Sequence, residues 1–344
     1  MAYSLKKERV KALLAELAGS RQVVAPVDEH GVVSYRPIAE GAAVRLEFQN
    51  GRTSPKDFFF PQTEKLFHYA YEGGSLRLTE HVPEEPRVIF AMRPCDLAAL
   101  PLLDNVFAGT FEDSYYLTRR AATTVVGMAC QTVADTCFCT SFGVTPGSAG
   151  VADAMLYEQD GRYLVEVLTP KGEALVAAAP GYFESAGEQD LAQARRRYTE
   201  KPVPAGARVK VEGVARDLDG RFEDPVWDEV ATRCLSCGIC TYVCPTCHCF
   251  LVQDAGTYED GVRLRCWDSC MYSDYTRMAG GHNPRPNQKE RVRQRFLHKL
   301  NYYPNRYGGA YLCVGCGRCV DRCPTGLHIP SVLQALRREV APLG

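Results

Sequence analysis

The sequence predicts a mixed α/β domain over residues 1–186, followed by a mainly α-helical domain over residues 224–344. Three observations support this division. Short runs of β-branched and aromatic residues dominate the first part of the chain, whereas amphipathic segments with helical spacing occupy the last part. Between them lies a charged segment that ends in a Pro-Val-Pro-Ala-Gly break. A chain of 344 residues is long enough for two such domains.

The first predicted element is a helix that Ser4 caps and Gly19 ends, with leucines at helical spacing on one face. A β-hairpin is expected where Asp160-Gly161 forms a two-residue turn between residues 154–157 and the alternating run 162–168. The other predicted strands are short apolar runs bounded by turn residues. They cover residues 22–27, 32–38, 44–48, 87–92 and 123–129.

A helical linker is predicted over residues 187–223, because residues 190–201 are polar and helical in composition. The C-terminal domain then begins with Asp224 and Pro225, which suit the cap and first turn of a helix. Apolar stripes predict two further helices, which cover residues 288–303 and 329–340.

Cysteine is the outlier in the composition, with sixteen in the chain. A chain of this length needs no disulfide scaffold, so we expect the thiols to bind metal or perform chemistry. The N-terminus has no export signal and no segment is apolar enough for a membrane span, which predicts a cytoplasmic, reducing location. A net charge of -1 argues against nucleic acid as a partner.

Eight cysteines form two runs of identical spacing, Cys-x-x-Cys-x-x-Cys-x-x-x-Cys-Pro, which start at Cys234 and Cys313. Bacterial ferredoxins use this spacing to bind two [4Fe–4S] clusters, and the fourth cysteine of each run ligates the other cluster. A pair of zinc sites is the alternative, but zinc ribbons use separated Cys-x-x-Cys pairs. The predicted ligands are Cys234, Cys237, Cys240 and Cys323 for cluster 1, and Cys313, Cys316, Cys319 and Cys244 for cluster 2.

The segment between the two runs is far longer than a compact ferredoxin requires, and it contains a predicted helix. The fold class we predict is therefore an α/β N-terminal domain followed by an α-helical ferredoxin-like dicluster domain. This segment carries four further cysteines, which would either bind another cluster or be buried as small apolar residues. The sequence leaves open the roles of Cys247, Cys249, Cys266 and Cys270.

The last four cysteines lie in the N-terminal domain. Cys95 and Cys130 each follow a predicted strand, so their loops could meet at one edge of a sheet. The loop with Cys137 and Cys139 could then close over them. Four thiolates at this edge would suit a third [4Fe–4S] cluster, and scattered core cysteines are an equal alternative from the residues alone.

Residues 285–299 form a locally basic stretch, with six Arg and Lys residues against Glu290. A helix face exposed to water is the ordinary interpretation. The alternatives are that these cations offset the charge of a cluster or dock an acidic partner; interleaved aromatic residues, which would favour nucleic acid, are missing from the basic stretch.

Several segments together carry a family resemblance. They resemble the β subunit of cytoplasmic NAD(P)-dependent [NiFe] sulfhydrogenases and the related A subunit of anaerobic sulfite reductase. The resemblance covers residues 50–330, nearly the whole chain. The segments are Lys56-Asp-Phe-Phe-Phe-Pro-Gln-Thr-Glu-Lys65, Arg93-Pro-Cys-Asp-Leu97, Cys137-Phe-Cys-Thr-Ser-Phe-Gly143, Cys244-Pro-Thr-Cys-His-Cys-Phe250, Trp267-Asp-Ser-Cys270 and Met278-Ala-Gly-Gly-His-Asn-Pro-Arg285.

The resemblance implies an iron–sulfur electron-transfer subunit of an anaerobic complex. Such subunits relay electrons between a flavin/NAD(P)-binding diaphorase subunit and a terminal redox subunit of hydrogenase, sulfite reductase or heterodisulfide-reductase type. It also favours the third cluster at Cys95, Cys130, Cys137 and Cys139, whose segments are among those that match. The chain has no flavin or nicotinamide fingerprint, so we expect it to bind neither cofactor. The rivals are a subunit that itself reduces sulfur or sulfite at a cysteine-rich site, and a scaffold braced by its clusters.

Overall fold

The computed structural model describes residues 1–38, 43–82, 85–204 and 208–338. Its strands form two sheets, one of eight strands in the order β10-β1-β9-β8-β7-β6-β2-β3 and one of four in the order β11-β12-β4-β5. The strands are β1 Ala2–Lys6, β2 Gln22–Glu29, β3 Val32–Pro37, β4 Thr63–Glu72, β5 Ser75–Glu80, β6 Arg87–Met92, β7 Thr123–Met128, β8 Ala154–Gln159, β9 Arg162–Val167, β10 Glu184–Ser185, β11 Phe250–Gly256 and β12 Asp260–Trp267.

Twelve α-helices occur in the described parts of the chain. They are α1 Val10–Ala18, α2 Pro94–Phe107, α3 Ser114–Ala122, α4 Pro170–Ala178, α5 Glu188–Thr199, α6 Val214–Asp217, α7 Val226–Ala231, α8 Ile239–Tyr242, α9 Gln288–Leu297, α10 Tyr303–Arg306, α11 Arg318–Arg322 and α12 Ile329–Arg338. Helix α9 runs directly into a π-helical segment, His298–Tyr302, which continues into α10.

The eight-stranded sheet has a parallel centre, in which β8, β7, β6 and β2 run side by side. Parallel strands require cover on both faces, and the buried residues of these strands divide between two cores. Helices α1 and α4 pack on one face, and α2 and α5 pack on the other. The strands predicted at residues 22–27, 32–38, 87–92 and 123–129 and the 154–168 hairpin are therefore confirmed.

The expected helix capped by Ser4 is wrong at its start. Residues Ala2–Lys6 form β1, which lies between β9 and β10 and pairs with both, so its backbone groups are satisfied on either side. The helix begins only at Val10. The strand predicted at residues 44–48 is also wrong, since this segment contributes one isolated bridge between Val27 and Val44.

The four-stranded sheet differs from the expectation of a mainly α-helical C-terminal domain, because two of its strands lie in the insert between the cysteine runs. Strands β11 and β12 belong to that insert, and β12 pairs with β4 from the N-terminal part. The sequence signal is weak because most residues of β11 are exposed and show no apolar alternation. Arg265 of β12 forms buried ion pairs with Glu64 of β4, at 2.5 Å, and with Asp113 at the start of α3. The insert is thereby fixed to the N-terminal part.

The C-terminal helices α7, α9 and α12 surround a third apolar core that contains Trp227, Phe296 and Leu333. Asn287 and Glu290 cap α9 reciprocally. The predicted helix over residues 329–340 is present as α12, and its last two predicted residues lie outside the described residues. The polar helix predicted before the Pro-Val-Pro break is α5, which packs against the large sheet. The domain limits at 186 and 223 remain a prediction.

Candidate metal centres

The first cysteine run encloses a cavity. Gly238 turns the chain at a φ of 72°, and the short helix α8 follows it. The cavity is partly open to solvent, and the space within it and at its mouth amounts to about 410 Å³. Its lining includes all four cysteines that the crossed ferredoxin pattern assigns to cluster 1, namely Cys234, Cys237, Cys240 and Cys323. Backbone amides of Ser236 and Leu327 donate to two of these sulfurs.

The second run brings Cys313, Cys316 and Cys319 close to Cys244. Burial is the main cause of the raised pKa of each of these three thiols, and Cys244 adds to the shift in every case. For Cys313 the pKa rises to about 12. Cys244 itself accepts a hydrogen bond from the Lys299 ammonium at 3.4 Å. The set assigned to cluster 2 is therefore assembled from both runs.

The third set forms at the carboxyl edge of the large sheet. Cys95 lies in the first turn of α2, directly after β6, and Cys130 lies two residues beyond β7. Because β6 and β7 are parallel neighbours, both thiols reach the same edge. Burial raises the pKa of Cys139 to about 12, and Cys137 and Cys130 beside it add to the shift. The structure thus brings these four cysteines together.

The third set lies against the second run. Cys95 and Cys316 belong to one small buried cluster, and the Phe138 amide donates to the Gly315 carbonyl at 2.9 Å. Arg318 of the second run forms a bidentate ion pair with Asp96, with both distances at 2.8 Å. These contacts fix the two sets to each other across the junction of the N-terminal and C-terminal parts.

The four cysteines of the insert separate into three groups. Cys247 lies beside Cys244, and Cys249 lies beside Cys270, in each case close enough for a hydrogen bond between thiols. Cys266 stands apart on β12, where its sulfur accepts from Gln253. All sixteen cysteines lie in the described residues, and all are free thiols.

Three of the buried cations near these thiols are Arg295, Lys299 and Lys56, and the first two correct the ordinary interpretation of the basic stretch as a water-exposed helix face. Arg295 is 3% exposed and Lys299 is 4% exposed. The third, Lys56, donates to the Cys247 carbonyl at 2.7 Å and lies 4.1 Å from the centre of the Trp267 ring. Sequence reasoning missed that these cations are buried. The available signal was that α9 carries basic residues on both faces, so that some of them must face the protein interior.

The residues present fit [4Fe–4S] clusters. A cubane requires thiolate sulfurs around a group of eight atoms, and the cavity of the first run offers four cysteines and no carboxylate among its lining residues. Arg295 also lines it, and Nε of that side chain is buried with no hydrogen-bond partner in the described parts of the chain. Across the described residues, no three His, Cys, Asp or Glu side chains converge on a single metal ion.

Comparisons with known proteins agree with this geometry. Residues 233–327 match a family model described as a 4Fe-4S dicluster domain. The chain is 33% identical over 319 residues to sulfhydrogenase 2 subunit beta of Pyrococcus furiosus, and the match covers 92% of each chain. No solved structure matches. Within the described residues, no helix has the length and apolarity needed to cross a bilayer. With a relative of this identity aligned along almost its full length, the chain belongs to the family of sulfhydrogenase beta subunits.

Proposed function

We propose that this chain is an electron-relay subunit with three [4Fe–4S] clusters in an unbroken sequence. The observation that carries the proposal is the contiguity of the three cysteine sets. The first and second sets exchange their fourth ligands through Cys323 and Cys244, and the third set packs on the second through Cys95 and Cys316. A relay needs such neighbouring sites, whereas isolated structural clusters do not.

Each [4Fe–4S] cluster, when bound, would accept and release one electron at a time. The chain supplies the thiol ligands and the backbone amides that donate to the sulfurs of Cys234 and Cys323. It also supplies an apolar shell around Cys95 and Cys316 that keeps water away. Because burial raises the pKa of Cys139 and Cys313 to about 12, cluster binding would release protons from these thiols. The family relative and the dicluster domain support this role.

The order of the sets suggests two ends of the relay. Cys237 in the first set is exposed, whereas Cys316 in the second is 8% exposed and touches the third set. We place one redox partner beside the first set. The relative's name, subunit beta of a sulfhydrogenase, supports a hetero-oligomer. In the proposed complex, electrons pass between a flavin/NAD(P)-binding diaphorase subunit and a terminal redox subunit.

Iron and acid-labile sulfide analysis of the anaerobically purified chain tests the cluster number. We expect about 12 iron atoms per chain, four for each cubane. Single Cys→Ala substitutions at Cys240, Cys316 and Cys139 should each remove about four, and the matched substitution of Cys266, which lies outside all three sets, should remove none. About eight iron atoms, with no loss in Cys139→Ala, would exclude the third cluster.

Electron flow is tested in the assembled complex. The same Cys240 and Cys316 substitutions should stop electron transfer to the terminal subunit while the diaphorase partner still reduces an artificial dye. Unchanged transfer would contradict the relay role. Turnover of sulfur or sulfite by the isolated chain with a chemical reductant would instead favour the rival in which the chain is itself a reductase.

A further inference from the structure

We propose that Arg295 and Lys299 raise the reduction potentials of the two C-terminal clusters, with Lys299 acting on cluster 2 and Arg295 on both clusters. The inference rests on the proposed function, because it requires clusters at these two cysteine sets. Both cations lie on one continuous helical segment, which consists of α9 and the π-helical segment that follows it. Arg295 lies near the end of α9, and Lys299 lies four residues later in the π-helical segment.

The Lys299 ammonium is held in place by three acceptors. Its Nζ donates to the Thr246 hydroxyl at 3.0 Å, to the Leu312 carbonyl at 3.1 Å and to Cys244 Sγ at 3.4 Å. An ammonium has three donors, so all are used. None of the acceptors is a carboxylate, and Cys244 is the ligand that the first run contributes to cluster 2. The charge of Lys299 is therefore fixed next to a ligand sulfur of that cluster.

The Arg295 guanidinium lies between the two ligand sets. It lines the cavity of cluster 1, and its charge is felt mainly by Cys240 of cluster 1 and Cys319 of cluster 2. Its guanidinium lies 4.6 Å from the centre of the Phe296 ring, and among the described residues its Nε has no hydrogen-bond partner. In that same part of the chain, Arg295 forms no ion pair with a carboxylate.

A buried cation without an anionic partner is expensive, since removing an ion from water costs several kcal/mol. Negative charge on the thiolate-bound clusters would offset that cost. Reduction of a cluster adds one negative charge, so a fixed cation nearby stabilises the reduced form more than the oxidised form. Local charge is one of the features by which a protein sets the potential of an iron–sulfur cluster. Both side chains therefore favour reduction.

Arg293, two residues before Arg295, provides a matched control. It is equally buried on the same helix, but its guanidinium pairs with Glu223 at 3.2 Å and stacks 3.4 Å from the centre of the Phe222 ring. Its charge is thus already balanced, and its guanidinium donates hydrogen bonds to the Phe222 carbonyl and the Glu223 carboxylate. Loss of this arginine would test whether any change in helix α9 shifts the potentials.

The experiment is an anaerobic redox titration of the full chain with its clusters, followed by electron paramagnetic resonance. The Cys240→Ala and Cys316→Ala variants first assign a signal to each cluster. Lys299→Met should change the reduced-to-oxidised ratio of cluster 2 by tenfold or more at a fixed potential, which is a fall of 59 mV or more for a one-electron couple. Cluster 1 should stay unchanged. Arg295→Met should lower both midpoints, Arg295→Lys should restore them, and Arg293→Met should shift neither.

Iron analysis of each variant separates the possible failures. Unchanged midpoints in Lys299→Met and Arg295→Met with full iron content would overturn the inference and leave the relay role intact, as would equal shifts in Arg293→Met. If the wild-type chain contains no iron, the proposed function fails instead. Where a Met variant binds less iron, the corresponding Gln variant, Lys299→Gln or Arg295→Gln, is titrated instead. Glutamine keeps a hydrogen-bond donor but removes the charge, and the same shifts in midpoint potential are expected. Iron loss in both variants at a position would assign it a structural role and overturn the inference there.

Discussion

The two cysteine runs share one spacing, but the first is exposed to solvent and the second is enclosed by protein. After the glycine of the first run comes Ile239, which is 38% exposed, and Leu235 in the same loop is 65% exposed. The equivalent of Ile239 in the second run is Arg318, which is 3% exposed and paired with Asp96. One loop thus faces outward, and the other is enclosed by the N-terminal part of the chain.

The glycines show the same contrast. A Cβ at Gly317 would lie 2.6 Å from the Thr136 carbonyl oxygen, and one at Gly315 would overlap the Phe138 carbonyl, so the second run is pressed against backbone. At Gly238 in the first run, the nearest atoms belong to the Tyr272 side chain. The comparison teaches that two runs of the same spacing can differ in their surroundings, because segments distant in sequence determine which run is enclosed and which is exposed.

The largest effect we expect comes from breaking the Asp96–Arg318 pair. Arg318→Leu leaves the Asp96 carboxylate buried without its cation, which should destabilise the protein by about 3–5 kcal/mol. Ile239→Leu, at the equivalent place in the exposed loop, should change stability by less than about 0.5 kcal/mol. Anaerobic urea denaturation followed by circular dichroism measures both. The double variant Asp96→Leu/Arg318→Leu should recover part of the loss, and equal effects at positions 318 and 239 would break the comparison.

Glycine substitutions should give the next largest difference. Gly315→Ala and Gly238→Ala share the cost of a left-handed residue, since their φ values are 62° and 72°. The methyl group of Gly315→Ala would also clash with the rigid Phe138 backbone, whereas the Tyr272 side chain can rotate away from a methyl group at position 238. We therefore expect Gly315→Ala to be less stable than Gly238→Ala by about 1–3 kcal/mol. Thermal denaturation of the two variants side by side measures this difference, and identical midpoints would contradict it.

Oxidative damage should begin at the exposed run. After graded air exposure of the cluster-containing protein, iodoacetamide should label Cys237 before Cys316. Alkylation requires the thiolate, and burial raises the pKa of Cys316, so its labelling should be at least about tenfold slower. Peptide mass spectrometry quantifies both cysteines in one digest. Simultaneous labelling would mean that the second run is not shielded.

The smallest structural effect with a functional consequence is expected at Leu235. Leu235→Lys places a charge on the exposed rim of the first run and should alter neither iron content nor stability by more than about 0.5 kcal/mol. Electron transfer from the redox partner should nevertheless slow several-fold in the assembled complex. Leu76→Lys, on the exposed strand β5, is the matched control and should have no effect on the rate. Normal transfer in Leu235→Lys would place the partner elsewhere.

Sequence reasoning could group residues where a local pattern has one physical interpretation. The cysteine runs predicted a crossed set, and the cavity of the first run is lined by the four cysteines of that set. Because Cys95 and Cys130 each follow a predicted strand, the sequence also indicated that their loops could meet at one edge of a sheet. Pairing between distant segments was not predictable from the sequence. Strand β1 pairs with two strands far along the chain, and Arg318 forms an ion pair with Asp96, more than two hundred residues away. Such partners leave no periodicity near either residue.

The four-stranded sheet has a consequence for the synthesis of the protein. The hairpin formed by β4 and β5 leaves the ribosome roughly 190 residues before β12, the strand that pairs with β4. At about 5–20 residues per second, this hairpin waits roughly 10–40 s for its neighbour. Glu64 has no Arg265 beside it during that interval. The two cysteine runs of the dicluster domain flank β11 and β12, so this sheet is completed during the same late part of synthesis in which the two runs emerge.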